Sequence, residues 1–137
     1  MEGRINVHAI RLKPGMDLKQ ALQDFINLQN ISAGWIMSCI GSLTRYHLRF
    51  ANQENGHMQN GFFEITGLTG TMSIHGSHLH LAVSDSNGSL IGGHVLDGCT
   101  IYTTAEVIIG ETNDLVFHRV TDESTGWKEL AIRKGGD

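Results

Sequence analysis

The sequence predicts an α+β fold in which one main helix packs on a largely antiparallel, barrel-like sheet. The 137 residues are 40% hydrophobic and 18% charged, which is typical of one globular domain spanning residues 1–137. The 17 glycines set against one proline indicate many tight turns. One segment has a helical period, and the segments after it are short, rich in β-branched and aromatic residues, and separated by Gly, Asn, Asp or Ser.

The first two elements are a strand and the helix. The strand is expected in "GRINVHAIRLKPG", where Ile5 and Val7 share one phase and a Pro-Gly pair ends the run. The helix is expected from about Asp17 to Gln29, because apolar residues recur there with i, i+3, i+4, i+7 spacing. Asp17 and Gln20 have the spacing of a capping box. A sheet with one apolar face needs a cover, so we expect this helix to lie against the sheet.

Everything after Gly34 is expected to form strands and turns. The segments with the composition of strands are "GWIMSCIGSLT", "RYHLRFANQ", "GFFEITGLTG", "TMSIHG", "HLHLAVSD", "LIGGHVLDG", "TIYTTAEVIIGE", "LVFHRV" and "WKELAIR". No long internal repeat or domain boundary interrupts them.

Four of the eight histidines lie within residues 73–95, "SIHGSHLHLAVSDSNGSLIGGHV". Successive side chains of a strand point to opposite faces, so His78 and His80 share one face. Leu79 and Leu81 share the other face, which we expect to belong to the core. The segment therefore predicts a strand with a histidine face and a leucine face.

The turn after this strand decides where His94 lies. A three-residue loop at residues 86–88 (Ser-Asn-Gly) would pair His80 with His94 and place His94 on the histidine face. A two-residue Asn-Gly turn would instead place His94 opposite Leu81, on the core side. A bulge at the Gly-Gly pair before His94 would also change the phase.

With the three-residue loop, His78, His80 and His94 are the predicted ligands of a zinc ion. Opposite β-carbons in a sheet are about 5 Å apart, close enough for three imidazoles to bind one zinc at about 2.0 to 2.1 Å. Three histidines with an open fourth position are the ligand set of catalytic zinc sites. The alternative is three polar residues on a solvated sheet face. His75 is expected in a turn or behind the ligands, because Gly76 makes its phase unreliable.

Four charged residues are further candidates for the site. Glu64 in "GFFEITGLTG" is the candidate acid or base, since a carboxylate in an apolar strand is costly and flanking glycines allow close approach of a ligand. Glu106 in "TTAEVIIGE" has a similar setting. Arg45 and Arg49 are candidate anion-binding partners. The alternative for each is an exposed strand position.

Charge and hydropathy bear on the partners and the location. The formal net charge is −4 and no basic run is longer than Arg133-Lys134, so the basic surface of an autonomous DNA-binding protein is missing, unless folding or oligomerisation creates a local patch. No segment resembles a signal peptide or a membrane span, so we expect a cytoplasmic protein without a membrane partner. Cys39 and Cys99 sit singly in apolar contexts, which is typical of buried thiols.

Taken together, these segments resemble the PPC (plants and prokaryotes conserved) domain. The resemblance rests on the blocks "HLHLAVSD", "GGHV" and "TTAEVIIGE" and extends from about Arg4 to Val120. It implies an α+β fold with one helix on antiparallel strands, and a homotrimer. The long apolar run "TIYTTAEVII" agrees with an assembly, because a monomer would have to cover it. Stand-alone prokaryotic members are often labelled predicted DNA-binding proteins, so the resemblance also implies a regulatory role at DNA.

The resemblance bears on the metal as well. In plants the domain follows AT-hook motifs, and the R-G-R-P core of such a motif is missing here. Plant members generally lack the histidine set, so zinc at His78, His80 and His94 looks like a prokaryotic feature. A more distant similarity is to acetolactate decarboxylase, which binds zinc through an H-x-H pair and a later histidine. It implies, as an alternative, a zinc-dependent lyase or hydrolase of a small keto or hydroxy acid, although a shared fold does not transmit a reaction.

Overall fold

The computed structural model describes residues 3–136 as one helix and eight strands. The elements are β1 (Asn6–Leu12), α1 (Leu18–Leu28), β2 (Gly34–Arg49), β3 (His57–Ser73), β4 (Gly76–Ser84), β5 (Leu90–Val95), β6 (Thr100–Glu111), β7 (Leu115–Thr121) and β8 (Lys128–Lys134). All strand pairs are antiparallel, so the predicted α+β class is confirmed. Within residues 3–136 no helix is long and apolar enough to cross a lipid bilayer.

Two strands are longer than the sequence pattern predicts. β2 continues through the expected break before Arg45, and β3 continues through the expected break at Gly70. The backbone accommodates irregular positions by shifts of register, one between Leu43 and Arg45 and one between Ile65 and Gly67. A bulge bends a strand without ending it, so fewer and longer strands form than expected.

The helix begins and ends close to the predicted positions. Asp17 is its N-cap, and Oδ1 of Asp17 accepts a hydrogen bond from the backbone N–H of Gln20 at 2.9 Å. The capping box forms only in half, because the side chain of Gln20 donates instead to Oδ1 of Asp24 at 2.9 Å. The face turned toward the sheet is fully buried and carries Leu18, Leu22 and Ile26.

The main sheet has the strand order β1-β6-β2-β3-β4-β5, and β5 also pairs with the end of β2. That last pairing joins Leu48 to Val95 and Arg49 to His94, so strands β2 to β5 form a ring. The sheet is nevertheless not a true barrel, which corrects the barrel-like prediction. Two residue pairs close the ring, and β1 and β6 lie outside it.

The core lies between α1 and the inner face of the sheet. Its largest fully buried members on the strands are Leu43, Leu48, Met72, Leu79, Ile101 and Ile109. In β4 the inward positions are the ones predicted, since Leu79, Leu81 and Val83 are at most 3% exposed. The histidines between them therefore lie on the face that points away from the core.

The last two strands form a separate two-stranded hairpin, β7–β8. Its attachment to the rest of the chain includes two hydrogen bonds at Phe117. The backbone N–H of Phe117 donates to the carbonyl of Ser32 at 2.8 Å, and the carbonyl of Phe117 accepts from the hydroxyl of Ser73 at 2.7 Å. Because Ser73 ends β3, these bonds hold the hairpin next to the start of β4.

Candidate metal centre

The turn between β4 and β5 has the three-residue loop that brings His94 to the histidine face. Gly88 has a φ of +79°, and its N–H donates to the carbonyl of Asp85 at 3.0 Å. Oδ1 of Asp85 accepts two further backbone N–H groups of the turn, both at 2.9 Å. A short acidic side chain favours such a turn. His80 pairs with His94, so the predicted register is confirmed.

His78, His80 and His94 form a cluster in which one ligand nitrogen from each lies within 4.8 Å of the others. Nε2 of His78 and Nε2 of His80 are 3.1 Å apart. Two ligands of a tetrahedral zinc ion lie about 3.3 Å apart, so this pair fits one ion with little movement. His75 stays outside the cluster and stacks on His118, with ring centres 4.3 Å apart.

A second observation favours a missing partner at the cluster. Nδ1 of His94 is buried and has no hydrogen-bond partner among the described residues. A buried polar atom without a partner is costly, and an absent ion or ordered water is a common explanation. Three imidazoles are a donor set that suits zinc and other late first-row metals. The residues present therefore fit a transition metal ion.

The surroundings of two of the three histidines, His78 and His94, favour the neutral imidazole. Burial lowers the pKa of His94 to about 4, and the positive charge of Arg49 adds to this effect. Burial also lowers the pKa of His78, and the positive charge of Arg119 lowers it further. Only a neutral imidazole offers the lone pair that a metal needs, so both side chains are ready to bind a metal at neutral pH.

A cleft of about 310 Å³ opens beside the cluster, and His78 and His80 are part of its lining. β3 lines it with Thr69, Gly70 and Thr71, and the β7–β8 hairpin lines it with Arg119, Glu129 and Leu130. Nη2 of Arg119 lies 3.4 Å from Nδ1 of His78 and donates to the carbonyl of Lys128 at 2.5 Å. The histidine cluster is therefore open to small molecules on the side of the hairpin.

The sequence pattern does not reveal that Arg119 and Glu129 belong to this cleft. Both residues reach it only because the β7–β8 hairpin docks against the start of β4. The one local signal is the pair His118-Arg119 inside the otherwise apolar segment "LVFHRV". This polar pair interrupts the apolar pattern of the strand. The sequence does not show which part of the molecule the pair faces.

The structure brings one of the two candidate arginines to the cluster. Arg49 pairs with His94 across β2 and β5, and its guanidinium carbon lies 4.7 Å from the centre of the Trp127 ring. Arg45 lies elsewhere on β2, where its Nε donates to the carbonyl of Gly98 at 3.0 Å. Arg49 is thus the candidate that can influence a ligand at the histidines.

The two candidate glutamates lie away from the cluster within one chain. Glu64 pairs with Ser84, which is four residues beyond His80 on β4, roughly 13 Å along the strand. Glu106 pairs with Arg11 on β1 and lines a separate groove of about 610 Å³. An acid or base role for either glutamate stays a prediction.

The six-stranded sheet covered by one helix, with three histidines gathered on one hairpin, defines a one-helix α+β domain with a candidate metal centre. The chain belongs to the Plants and Prokaryotes Conserved (PCC) domain family, which matches residues 1–113. This is the PPC domain that the sequence resembles. The match ends before β7, so the β7–β8 hairpin lies beyond it.

The curated relatives are much longer proteins. The chain is 42% identical over 132 residues to the bifunctional protein GlmU of Synechococcus sp. (strain JA-3-3Ab), a match that covers 96% of this chain and 21% of that protein. The chain therefore spans about a fifth of the length of the curated relatives it matches.

Solved structures share the fold. A hypothetical protein from Salmonella cholerae-suis has a TM-score of 0.95 and 41% identity, with 98% of this chain and 97% of that chain covered. A Bacteroides thetaiotaomicron protein, provisionally named as DNA-binding, has a TM-score of 0.79 and 25% identity over 92% and 91% of the two chains. A metal-containing protein from Archaeoglobus fulgidus has a TM-score of 0.79 and 24% identity over 95% and 96%, which shows the fold alone. A Staphylococcus aureus protein similar to alpha-acetolactate decarboxylase has a TM-score of only 0.47 and 16% identity, with 79% of this chain and 52% of that chain covered.

Proposed function

We propose that the chain is a metal-binding PCC domain in which His78, His80 and His94 hold one zinc ion. The observation that carries the proposal is the convergence of one ring nitrogen from each histidine within 4.8 Å, beside an open cleft. The unpartnered Nδ1 of His94 supports it. The Archaeoglobus fulgidus protein that shares the fold is described as metal-containing, which agrees with it.

Three protein ligands leave one position of a tetrahedral zinc ion open. Among the described residues, the cluster includes no fourth histidine, cysteine, aspartate or glutamate. Structural zinc sites are usually closed by a fourth protein ligand, whereas sites with three histidines keep a position for water or a ligand. When bound, zinc would supply Lewis acidity to an oxygen at that position. The proposed function is therefore binding of a ligand at a metal centre.

Metal analysis tests this proposal directly. Protein purified without an affinity tag is expected to contain about one zinc ion per chain, and His80→Ala is expected to lose it. His75→Ala is the matched control, because His75 stacks on His118 outside the cluster. A zinc content far below one ion per chain, unchanged by His80→Ala, would contradict the proposal.

We propose that the domain assembles as a homotrimer, with the number of copies taken from the resemblance to the PPC domain. Exposed apolar side chains support an assembly, and they include Val7, Ile40, Phe62 and Tyr102, each at least 45% exposed. Phe62 and Tyr102 pack edge to face with ring centres 5.1 Å apart. Exposed apolar patches of this kind mark protein interfaces.

Light scattering tests the assembly. We expect a mass about three times the 15.0 kDa of the chain, and a smaller mass for Phe62→Glu. A wild-type mass equal to one chain would contradict the trimer.

The free cysteines, Cys39 and Cys99, agree with a reducing compartment, and we propose that this one-domain unit works in the cytoplasm.

DNA is the second candidate partner, favoured by the provisional name of the Bacteroides thetaiotaomicron protein. The formal charge of −4 predicts a weak non-specific affinity for DNA, and any affinity carried by phosphate contacts should fall as salt rises from about 50 to 200 mM. Retention on duplex DNA at the lower salt concentration supports this role. No retention at either concentration would exclude an autonomous DNA-binding function.

A further inference from the structure

We propose that the β7–β8 hairpin makes the metal centre a binding site for a small carboxylate, which Arg119 and the open metal position hold together. The inference rests on the proposed metal centre and assigns its ligand class. It depends on residues of a hairpin that lies beyond the PCC match at residues 1–113. The occupant would be a small organic acid and not a polymer.

The size of the cleft sets the size of the ligand. Its volume of about 310 Å³ is at the lower end of the range of about 300 to 1,000 Å³ that is usual for small-molecule sites. One wall is β3 with Thr69 and Thr71, whose hydroxyl groups can donate to an oxygen of the ligand. The other wall is the hairpin with Arg119, Glu129 and Leu130. A small acid with an apolar group fits such a lining.

The charge of Arg119 is not neutralised by its neighbours. Among residues 3–136, Arg119 makes no ion pair with Glu129, although both line the cleft. The side chain of Glu129 instead accepts from the hydroxyl of Thr125 at 3.1 Å. Arg49 adds a second positive charge near His94. With a divalent ion at the histidines, positive charge exceeds the single carboxylate of Glu129, so the cleft favours an anion.

Metal binding would free Arg119 for this anion. A guanidinium only donates hydrogen bonds, so Nδ1 of His78 must accept from Arg119 and the proton of the neutral ring lies on Nε2. If Nε2 of His78 held the metal, the proton of the neutral ring would lie on Nδ1 instead. Two donors would then face each other at the 3.4 Å contact. The guanidinium of Arg119 keeps its hydrogen bond to the carbonyl of Lys128, but the N–H that points at His78 would need a new acceptor, and the cleft lies directly beside it.

A carboxylate is the acceptor that matches the groups on this side of the cleft. The planar guanidinium forms paired, charge-assisted hydrogen bonds with carboxylates, and a carboxylate oxygen is also a good ligand for an open zinc position. Arg119 would be a binding residue in this role, and Arg49 would act through the charge it places near His94.

Cobalt substitution of the full chain tests the inference, because the visible spectrum of Co²⁺ reports changes in its coordination. The probe is pyruvate, titrated into the cobalt-loaded protein. We expect a saturable spectral change for the wild type, and pyruvate affinity about ten- to a hundredfold weaker in Arg119→Gln with the cobalt content unchanged. Arg119→Lys keeps the charge without the planar fork and should lose less. Arg133→Gln is the matched control, an exposed arginine on β8 that does not line the cleft.

The outcomes separate this inference from the proposed function. Full cobalt content with no spectral response to pyruvate, or with equal affinity in Arg119→Gln, would overturn the carboxylate site and leave the metal centre standing. Loss of cobalt from Arg119→Gln would overturn it too, since Arg119 would then support the metal and not a ligand. Tighter binding of inorganic phosphate than of pyruvate would overturn the carboxylate assignment. No cobalt uptake by the wild type would overturn both proposals.

Discussion

The two hairpins at the candidate metal centre are held in different ways. The β4–β5 hairpin belongs to the ring, because β4 pairs along its length with β3 and β5 pairs with the end of β2. Among residues 3–136, the strands of the β7–β8 hairpin pair only with each other, and the hairpin hydrogen-bonds to the rest of the chain at Phe117 and at Arg119. One hairpin carries the histidines and the other carries Arg119 and Glu129. The proposed metal ligands thus lie on a rigid element, and the residues that would face the bound acid lie on a less constrained one.

The different attachment of the two hairpins affects how easily each of them opens. Segments held by few buried contacts open with a lower free energy than core strands do. Side chains of the second hairpin such as Trp127 and Ile132 are more than half exposed, whereas Leu79 and Leu81 of β4 are buried. We therefore expect the β7–β8 hairpin to open and expose the cleft while the histidines stay in place.

The largest expected effect on stability comes from forcing β3 and β4 apart. Gly70 has a φ of +147°, and an added β-carbon would clash with the carbonyl oxygen of His78 on β4. Gly70→Ala should therefore lower the free energy of unfolding by about 3 kcal/mol, equivalent to a fall of roughly 10 °C in Tm. Thermal denaturation followed by circular dichroism measures this change.

Gly67→Ala is the control for that measurement. Gly67 lies on the same strand, and an added β-carbon there would meet nothing within 4 Å. Its Tm should move much less than that of Gly70→Ala. Equal shifts in the two variants would contradict the close β3–β4 packing on which the cluster depends.

A smaller effect on stability is expected when the metal-free protein is acidified. The folded chain lowers the pKa of His94 from 6.5 to about 4, mainly through burial, so the unfolded chain binds the proton more readily between these values. Stability that is complete above pH 6.5 is lost as the pH falls toward 4, by about 1 to 2 kcal/mol after allowance for partial exposure. Urea denaturation of metal-free protein at several pH values checks this. His94→Asn should flatten the dependence, and a stability that rises on acidification would contradict the burial of His94.

The smallest expected effect comes from removing one of the contacts between the second hairpin and the ring, the one between Arg49 and Trp127. The guanidinium of Arg49 lies 4.7 Å from the centre of the Trp127 ring, and an exposed contact of this kind contributes about 0.5 to 1 kcal/mol. Trp127→Ala should leave global stability nearly unchanged and speed hydrogen exchange in β7 and β8 but not in β4. Equal acceleration in both hairpins would contradict their different attachment.

Local sequence patterns were sufficient to predict the hairpin of the ring. Alternation in "HLHLAVSD" separates the histidines from the buried leucines, and the Ser-Asn-Gly loop sets the register that pairs His80 with His94. Arg119 and Glu129 were not predictable in the same way. Their positions depend on how a whole hairpin docks through Phe117, a contact distant in sequence that no periodicity encodes.

The closure of the sheet was also beyond the sequence pattern. Alternation identifies which face of a strand is buried, but it does not say which strands lie at the edges. The pairing of Arg49 with His94 closes four strands into a ring, and β1 and β6 extend the sheet outside it. A local pattern does not distinguish a bend from a break, so the sequence predicts shorter strands than the observed β2 and β3.

Anomalous diffraction would locate the metal ion that we propose the three histidines share. Crystals of the protein reconstituted with one equivalent of zinc would be measured at the zinc absorption edge. We expect one strong anomalous peak about 2.0 to 2.1 Å from one ring nitrogen each of His78, His80 and His94. A peak at the stacked His75 and His118 pair, or no peak at the cluster, would contradict it.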